Sequence, residues 1–225
     1  VLGNVGFQVA AYSKPEFQIT VTAEQPEYNQ GETARFTLQA NYFSGEALAN
    51  APLTWYLIAN PYNFTWANAP LNRYFSFTPY DPTQEEYNPY LTNYMGVIQE
   101  GRATTDANGR FVLELPADLG EALQSQLWTF SATVQSFTNQ YVGGQANAIV
   151  HRGDFYIGLS PQSYVVAMGE ESVVDLVTVT PQGEAYPGAE LEVIVYEFQW
   201  NSLYMRAADG SYNWQTSVLR TPVLT

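Results

Sequence analysis

The sequence predicts an all-β protein: tandem antiparallel β-sandwiches, the second incomplete, with almost no helix. Three observations predict it. A stretch occurs twice: Gly31-Glu32 recurs as Gly169-Glu170, and Gly45-Glu46-Ala47 recurs as Gly183-Glu184-Ala185, both 138 residues on (from 31 to 169 and from 45 to 183). In the same register Phe17 falls on Phe155, Ile19 on Ile157, Ala51 on Ala189, Leu53 on Leu191, Trp55 on Val193 and Leu57 on Val195, so the chain holds two copies of one module. After Glu32, Ala34, Phe36, Leu38, Ala40 and Tyr42 alternate with Thr33, Arg35, Thr37, Gln39 and Asn41, the period of a strand with one apolar and one wet face. Glycine turns such as Gly45, Gly183 and Asn108-Gly109 separate such runs.

Taken in order, Phe7-Gln8-Val9-Ala10-Ala11-Tyr12 alternates like a strand, and Tyr12 matches Val150, which ends the first module. Residues 1–12 therefore read as the end of an upstream domain. The first sandwich spans 13–152. Phe17, Ile19 and Val21 open it, Gln25-Pro26-Glu27-Tyr28 turns, and Leu53-Trp55-Leu57 starts the partner strand of 33–42. From about 60 to 96 the alternation stops. This segment carries Pro61, Pro70, Pro79, Pro82 and Pro89, which exclude central strands over most of it. Its ten aromatics, among them Tyr74, Phe75 and Phe77, argue against a disordered linker, so it reads as an ordered insertion with a short strand near 74–78. Strands resume at Val97, and Asn108-Gly109 reads as a hairpin turn between 102–105 and 111–115. Residues 116–124 accommodate one helical turn, Trp128, Phe130, Ala132 and Val134 alternate again, and 146–151 close the module.

Residues 153–225 form the second sandwich, with strands near 155–160, 171–180, 189–198 and 202–207 and a turn at Asp209-Gly210. The predicted core is Phe17, Ile19, Phe36, Leu38, Trp55, Phe130 and Val134 in the first domain, and Phe155, Ile157, Val174, Leu176, Leu191 and Val193 in the second. Thr225 matches Tyr87, so the section 97–150 has no counterpart in the second copy. That domain is expected to be truncated, with an open edge that a neighbouring molecule covers or that makes it the less stable half.

Composition excludes several function classes. Lys and Arg number 8 against 22 Asp and Glu, a net charge of −14, and the cations are scattered, so nucleic acid and anionic membrane surfaces are poor partners. Cys is absent, which removes any disulfide, thiolate nucleophile, thioester or cysteine-ligated metal from this chain. No apolar run approaches the roughly 18 residues of a membrane span. No signal peptide opens the chain, and any targeting segment is expected to have been removed or to lie outside it.

Neither catalytic residues nor a cofactor or metal site is predicted. His151, the only histidine, lies at the junction of the modules without a nucleophile motif such as Gly-x-Ser-x-Gly, and reads as a structural hydrogen-bonding group. Glu170-Glu171 are neighbours on a strand start and point to opposite faces, unlike a glycosidase pair; Glu85-Glu86 is a second adjacent pair. Asp106-Ala107-Asn108-Gly109 resembles the opening of a calcium loop, but Leu115 stands where the bidentate Glu belongs. Asn63-Phe64-Thr65 fits a glycosylation sequon. The candidate partner surface is the insertion, through Tyr62, Phe64, Trp66, Tyr80, Tyr87 and Tyr90, since exposed aromatics stack on sugars or anchor proteins; packed over a sandwich, the same rings would close a local core.

Several segments resemble one family. Phe7-Gln8-Val9, Tyr12 and Pro15-Glu16-Phe17-Gln18-Ile19 are similar to the junction between macroglobulin-type domains of the bacterial alpha-2-macroglobulin family. Gly31-Glu32, Ala40-Asn41-Tyr42-Phe43-Ser44-Gly45, the run Thr105 to Phe111 with Leu115-Pro116, and the run His151 to Leu159 follow the same pattern, covering nearly the whole chain. The resemblance implies macroglobulin-type sandwiches, fibronectin- or immunoglobulin-like, in a fragment of a large extracytoplasmic protease trap (periplasm or cell surface). Such traps enclose a protease after it cuts a bait, and many carry a Cys-x-Glu-Gln thioester, which this Cys-free chain lacks. Its implied partners are neighbouring domains of the parent protein and, for the whole protein, proteases. The alternative reading is a cell-surface adhesin or carbohydrate-binding sandwich that uses the aromatic insertion.

Overall fold

The computed structural model describes residues 15–71, 73–78, 96–167, 169–206 and 211–224. The predicted upstream strand at 1–12 and the Asp209-Gly210 turn lie outside these. The described residues cluster into two units, the first comprising 15–62, 96–120 and 125–151, the second the remainder. All regular structure is β, and no helix occurs among the described residues.

The first unit is a sandwich of two sheets. One is ordered β1 (Phe17–Ala23), β3 (Thr33–Tyr42), β6 (Arg110–Pro116). The other runs β2 (Glu27–Asn29), β8 (Tyr141–His151), β7 (Gln126–Gln135), β4 (Pro52–Pro61), β5 (Gly96–Thr104). All pairings are antiparallel except β2 with β8. The alternation in β3 and β7 places Phe36, Leu38, Phe130 and Val134 in the buried layer where the sheets face each other. There Phe36 lies 5.4 Å from Phe130, and Trp55 of β4 lies 6.2 Å from the same ring. Gly101 of β5 leaves room for that indole: a Cβ would stand 2.7 Å from its ring atoms. Ile19 is only half-buried.

Three local expectations change. Strands β3 and β4 do not pair; the chain crosses from one sheet to the other between them. The Asn108-Gly109 turn is also an arch between sheets, since β5 pairs with β4 and β6 with β3. Asp106 Oδ1 accepts the N–H groups of Asn108 and Arg110 at 2.8 Å each, closing the turn, while Ala40 N–H donates to the Gly109 carbonyl at 2.8 Å and ties the arch to β3. Gly109 has φ +73°, and a Cβ there would run into the Ala40 carbonyl oxygen. Residues 117–125 form a turn rather than a helical turn, with Gly120 at φ +54°.

In the second unit, β9 (Tyr156–Pro161) pairs with β10 (Val174–Val179), and β11 (Val195–Arg206) with β12 (Tyr212–Leu224). The repeat holds in the hydrogen bonding. Ile157 faces Thr178 and Leu159 faces Leu176, as Ile19 faces Ala40 and Val21 faces Leu38. Gly45 N–H bonds to Tyr42 O and Tyr42 N–H to Glu46 O; Gly183 N–H bonds to Thr180 O and Thr180 N–H to Glu184 O, all at 2.8–2.9 Å. Positive φ recurs at Gly31 and Gly169, Gly45 and Gly183, and Asn50 and Gly188. The predicted strands at 189–198 and 202–207 are instead one strand, β11, and 189–194 are not strand. The second core prediction fails for Ile157, Val174, Leu176 and Val193, which are 42–49% exposed, and Phe155 and Leu191 are only half-buried. Alternation marks a face; burial needs a second sheet to cover it.

Candidate interaction surfaces

Two constellations sit where the sequence placed candidate residues. The first surrounds His151, at the end of β8 in the first unit. The side chain is buried, with Nε2 3.5 Å from Glu27 Oε2 on β2. The parallel β2–β8 ladder brings them together by pairing Asn29 with His151. Tyr62, just past β4, stands edge-on to the imidazole at 6.1 Å, its N–H bonded to Ser125 O. Burial lowers the His151 pKa below its usual 6.5, and the charge and hydrogen bonding of Glu27 pull it back up. The Tyr62 phenol is raised by its own burial and then by the Glu27 charge. Carboxylate, imidazole and phenol thus tie β2 to β8 beside the segment that leaves β4. Sequence reasoning paired His151 with no group, because Glu27 is distant in the chain.

The second constellation is built by the insertion. Of its described residues, 63–78 belong to the second unit. Phe64 stacks on Tyr156 of β9 at 4.0 Å with the planes 7° apart, and Phe77 meets Phe64 edge-on at 5.0 Å. Gly158 makes this possible, since a Cβ there would lie 2.6 Å from the Phe77 ring. Ser76 exchanges backbone hydrogen bonds with Leu159, so the predicted strand near 74–78 is a single bridge. Trp66 Nε1–H donates to Gly183 O at 2.9 Å and its ring meets Phe75 edge-on, while Arg73 forms an ion pair with Asp175 of β10. Phe64 and Trp66 are accordingly half-buried, whereas Asn63 and Thr65 of the sequon are exposed. Tyr80, Tyr87, Tyr90 and Glu85-Glu86 lie outside the described residues. Arg73 and Gly158 were not singled out from sequence; a glycine inside a strand run was the available signal of close approach.

Glu170 and Glu171 are exposed. No group of three or more His, Cys, Asp or Glu able to hold a metal occurs among the described residues. No helix there is long and apolar enough to cross a membrane.

Two facing sheets joined by arches make the first unit a β-sandwich, and the second unit repeats the pairing of its opening strands. No family model and no curated protein matches the sequence. Solved structures do match. Native Escherichia coli alpha-2-macroglobulin is 14% identical, with a TM-score of 0.59 over 94% of this chain and 14% of that one. Salmonella alpha-2-macroglobulin reacted with methylamine is 15% identical, with a TM-score of 0.61 over 95% of this chain and 14% of that one. Trypsin-activated alpha-2-macroglobulin from Escherichia coli is 15% identical, with a TM-score of 0.53 over 94% and 15%. The chain has the fold of these bacterial alpha-2-macroglobulin segments and spans about 14% of their length.

Proposed function

We propose that this chain is a structural and interaction segment of an alpha-2-macroglobulin-like protein that traps and inhibits proteases, with no chemistry of its own. The fold likeness across 94% of the chain carries this reading, supported by the 138-residue repeat retained in strand register. Neighbouring domains of a parent protein are its direct partners, proteases are the prey of the whole, and the setting is extracytoplasmic, the periplasm or cell surface. The tandem sandwiches act as spacers whose geometry, rather than any reactive group, serves the trap. A carbohydrate-binding or adhesin role would need open ring faces, and Phe64 has one face stacked on Tyr156 while Trp66 is half-buried, its N–H taken by Gly183 O.

The test uses the full product of the gene that encodes the chain. Incubated with trypsin or elastase, it should abolish cleavage of a large protein substrate while leaving most cleavage of a small chromogenic peptide, because enclosure blocks access without filling the active site. Equal loss of both activities, or loss of neither, would refute the reading. Saturable protease inhibition by residues 1–225 alone would refute the assignment of a purely structural role.

A further inference from the structure

The paired strands β11 and β12 gather rings on one side. Alternation along β11 puts Tyr196, Phe198, Trp200 and Tyr204 on the same side, and pairing sets Trp214 opposite Tyr204 and Tyr212 opposite Arg206. Trp200, Tyr204, Tyr212 and Trp214 are 56–69% exposed, although Tyr204 meets Tyr212 at 5.5 Å and Trp214 at 5.1 Å. Phe198 stacks on Trp200 at 5.8 Å, and the Arg220 guanidinium lies 5.6 Å from the centre of the Phe198 ring. The other side of β11 carries Glu197, Gln199 and Asn201.

The repeat identifies this as an outer side. In the 138-residue register Tyr196 and Phe198 are the counterparts of Ile58 and Asn60, on the side of β4 that bears the exposed Tyr56. The core residues Leu53, Trp55 and Leu57 point the opposite way. In the first unit β7 joins β4 at its edge, so strands that complete such a sandwich leave the ring-bearing side open. Two cations stand far apart on it: Arg220 opposite Phe198, and Arg206 eight positions further along β11, about 26 Å at about 3.3 Å per residue. Among the described residues no Asp or Glu shares this side, in a chain with 22 acidic and 8 basic groups. At physiological salt a charge reaches only about 8 Å, so these arginines set the local potential.

We infer that this side of β11–β12 binds a linear polysaccharide bearing carboxylates, its sugar rings stacked on Trp200, Tyr204 and Trp214 and its carboxylates paired with Arg206 and Arg220. Exposed aromatic faces suit the apolar C–H faces of sugar rings, and a guanidinium takes a carboxylate through two parallel hydrogen bonds. The file of rings with a cation towards each end matches a linear polyanion. Apart from Val218 and Pro222 the side offers no aliphatic group, and so little of the close-packed apolar relief that a folded protein partner needs. An extended peptide would instead add through backbone bonds at a strand edge, away from the rings. The inference concerns the second unit alone and is independent of the protease-trap reading.

The test is isothermal titration calorimetry of the full chain with oligomers of galacturonate and of mannuronate long enough to span both arginines, with neutral malto-oligomers and a poly-glutamate peptide as controls. At least one acidic oligosaccharide should bind, and neither control should. Trp200→Ala and Trp214→Ala should each weaken binding about tenfold, and Arg206→Gln several-fold with a shallower dependence on salt. Tyr164→Ala, fully exposed elsewhere in the second unit, should leave binding unchanged. Amide hydrogen exchange on β11 checks that the variants keep the strand pair, and Trp200→Phe, which keeps a ring, should bind within a few-fold of the parent. No binding of either acidic oligomer, equal binding of poly-glutamate, or binding unchanged in both tryptophan variants overturns the inference. So does binding by the chain that vanishes in the full product of its gene, because the side is then an interface with a neighbouring domain.

Discussion

Replacing Phe36 by Ala removes the ring at the centre of the first sandwich. Phe36 is fully buried in the middle strand of its sheet, faces Ala23 and Leu113 on either side, and lies 5.4 Å from Phe130 of the opposite sheet. Lost transfer energy and the cavity together cost about 3–5 kcal/mol. Of this, about 0.5–1.5 kcal/mol belongs to the ring pair with Phe130. That is a large share of the roughly 5–15 kcal/mol of a whole domain, so Phe36→Leu, which fills more of the cavity, guards against complete unfolding. Val174 is the counterpart of Phe36 in the repeat but is 49% exposed, so Val174→Ala should cost under about 0.5 kcal/mol. The assay is native-state hydrogen exchange at increasing urea, read on amides of β3 and β7, because Trp fluorescence would mix both units. A loss under about 1 kcal/mol for Phe36→Ala, or one equal to that of Val174→Ala, would refute the packing described.

Three further outcomes are expected. Gly109→Ala should destabilise the first unit by at least about 2 kcal/mol in the same assay, since positive φ and the Ala40 carbonyl both oppose a Cβ, while Gly31→Ala, open around its Cβ, should cost about 1 kcal/mol. Thr105 Oγ1 donates to Leu48 O at 2.6 Å and accepts from Ala51 N–H at 2.9 Å, so Thr105→Val should cost about 2–4 kcal/mol in urea denaturation by leaving two buried groups unpaired. His151 should titrate below 6.5 in proton NMR, where a lone histidine is unambiguous, and Glu27→Gln should lower it further by removing the charge that favours imidazolium. Because its folded pKa is depressed, the folded chain binds fewer protons than the unfolded one; stability should fall as pH drops below 6.5 and level off below the folded pKa, and His151→Gln should flatten that slope.

Period-two alternation in 33–42 and 128–134 identified the strands and the faces of the first core, and the repeat carried that reading into the register of β9 and β10. Alternation marks which side of a strand is apolar but not which sheet it joins, so β3–β4 and the Asn108-Gly109 arch were legible as strands and a turn but not as crossings. The same turn chemistry serves a hairpin and an arch. Leu176 and Ile157 carried core residue types, and only the surroundings decide whether such a face is covered. Of the candidate surface, Tyr62, Phe64 and Trp66 were legible as aromatics outside the strands; their partners His151, Tyr156 and Gly183 are remote in sequence, and nothing local marks such pairings.

The parallel pair of β2 with β8 sets a timetable for synthesis. Glu27 lies beside Ile149, so the short strand made second waits for the strand made last. At about 5–20 residues per second, the chain between them takes on the order of ten seconds to leave the ribosome. During that interval β1 and β3 can pair locally, but the face bearing Phe36 and Leu38 stays bare until β7 and β8 arrive. Phe64 waits longer still, because Tyr156 follows β8. A nascent chain stalled before Val150 therefore displays both an apolar face and an open sheet edge, and the first sandwich closes only once nearly the whole of 17–151 is out.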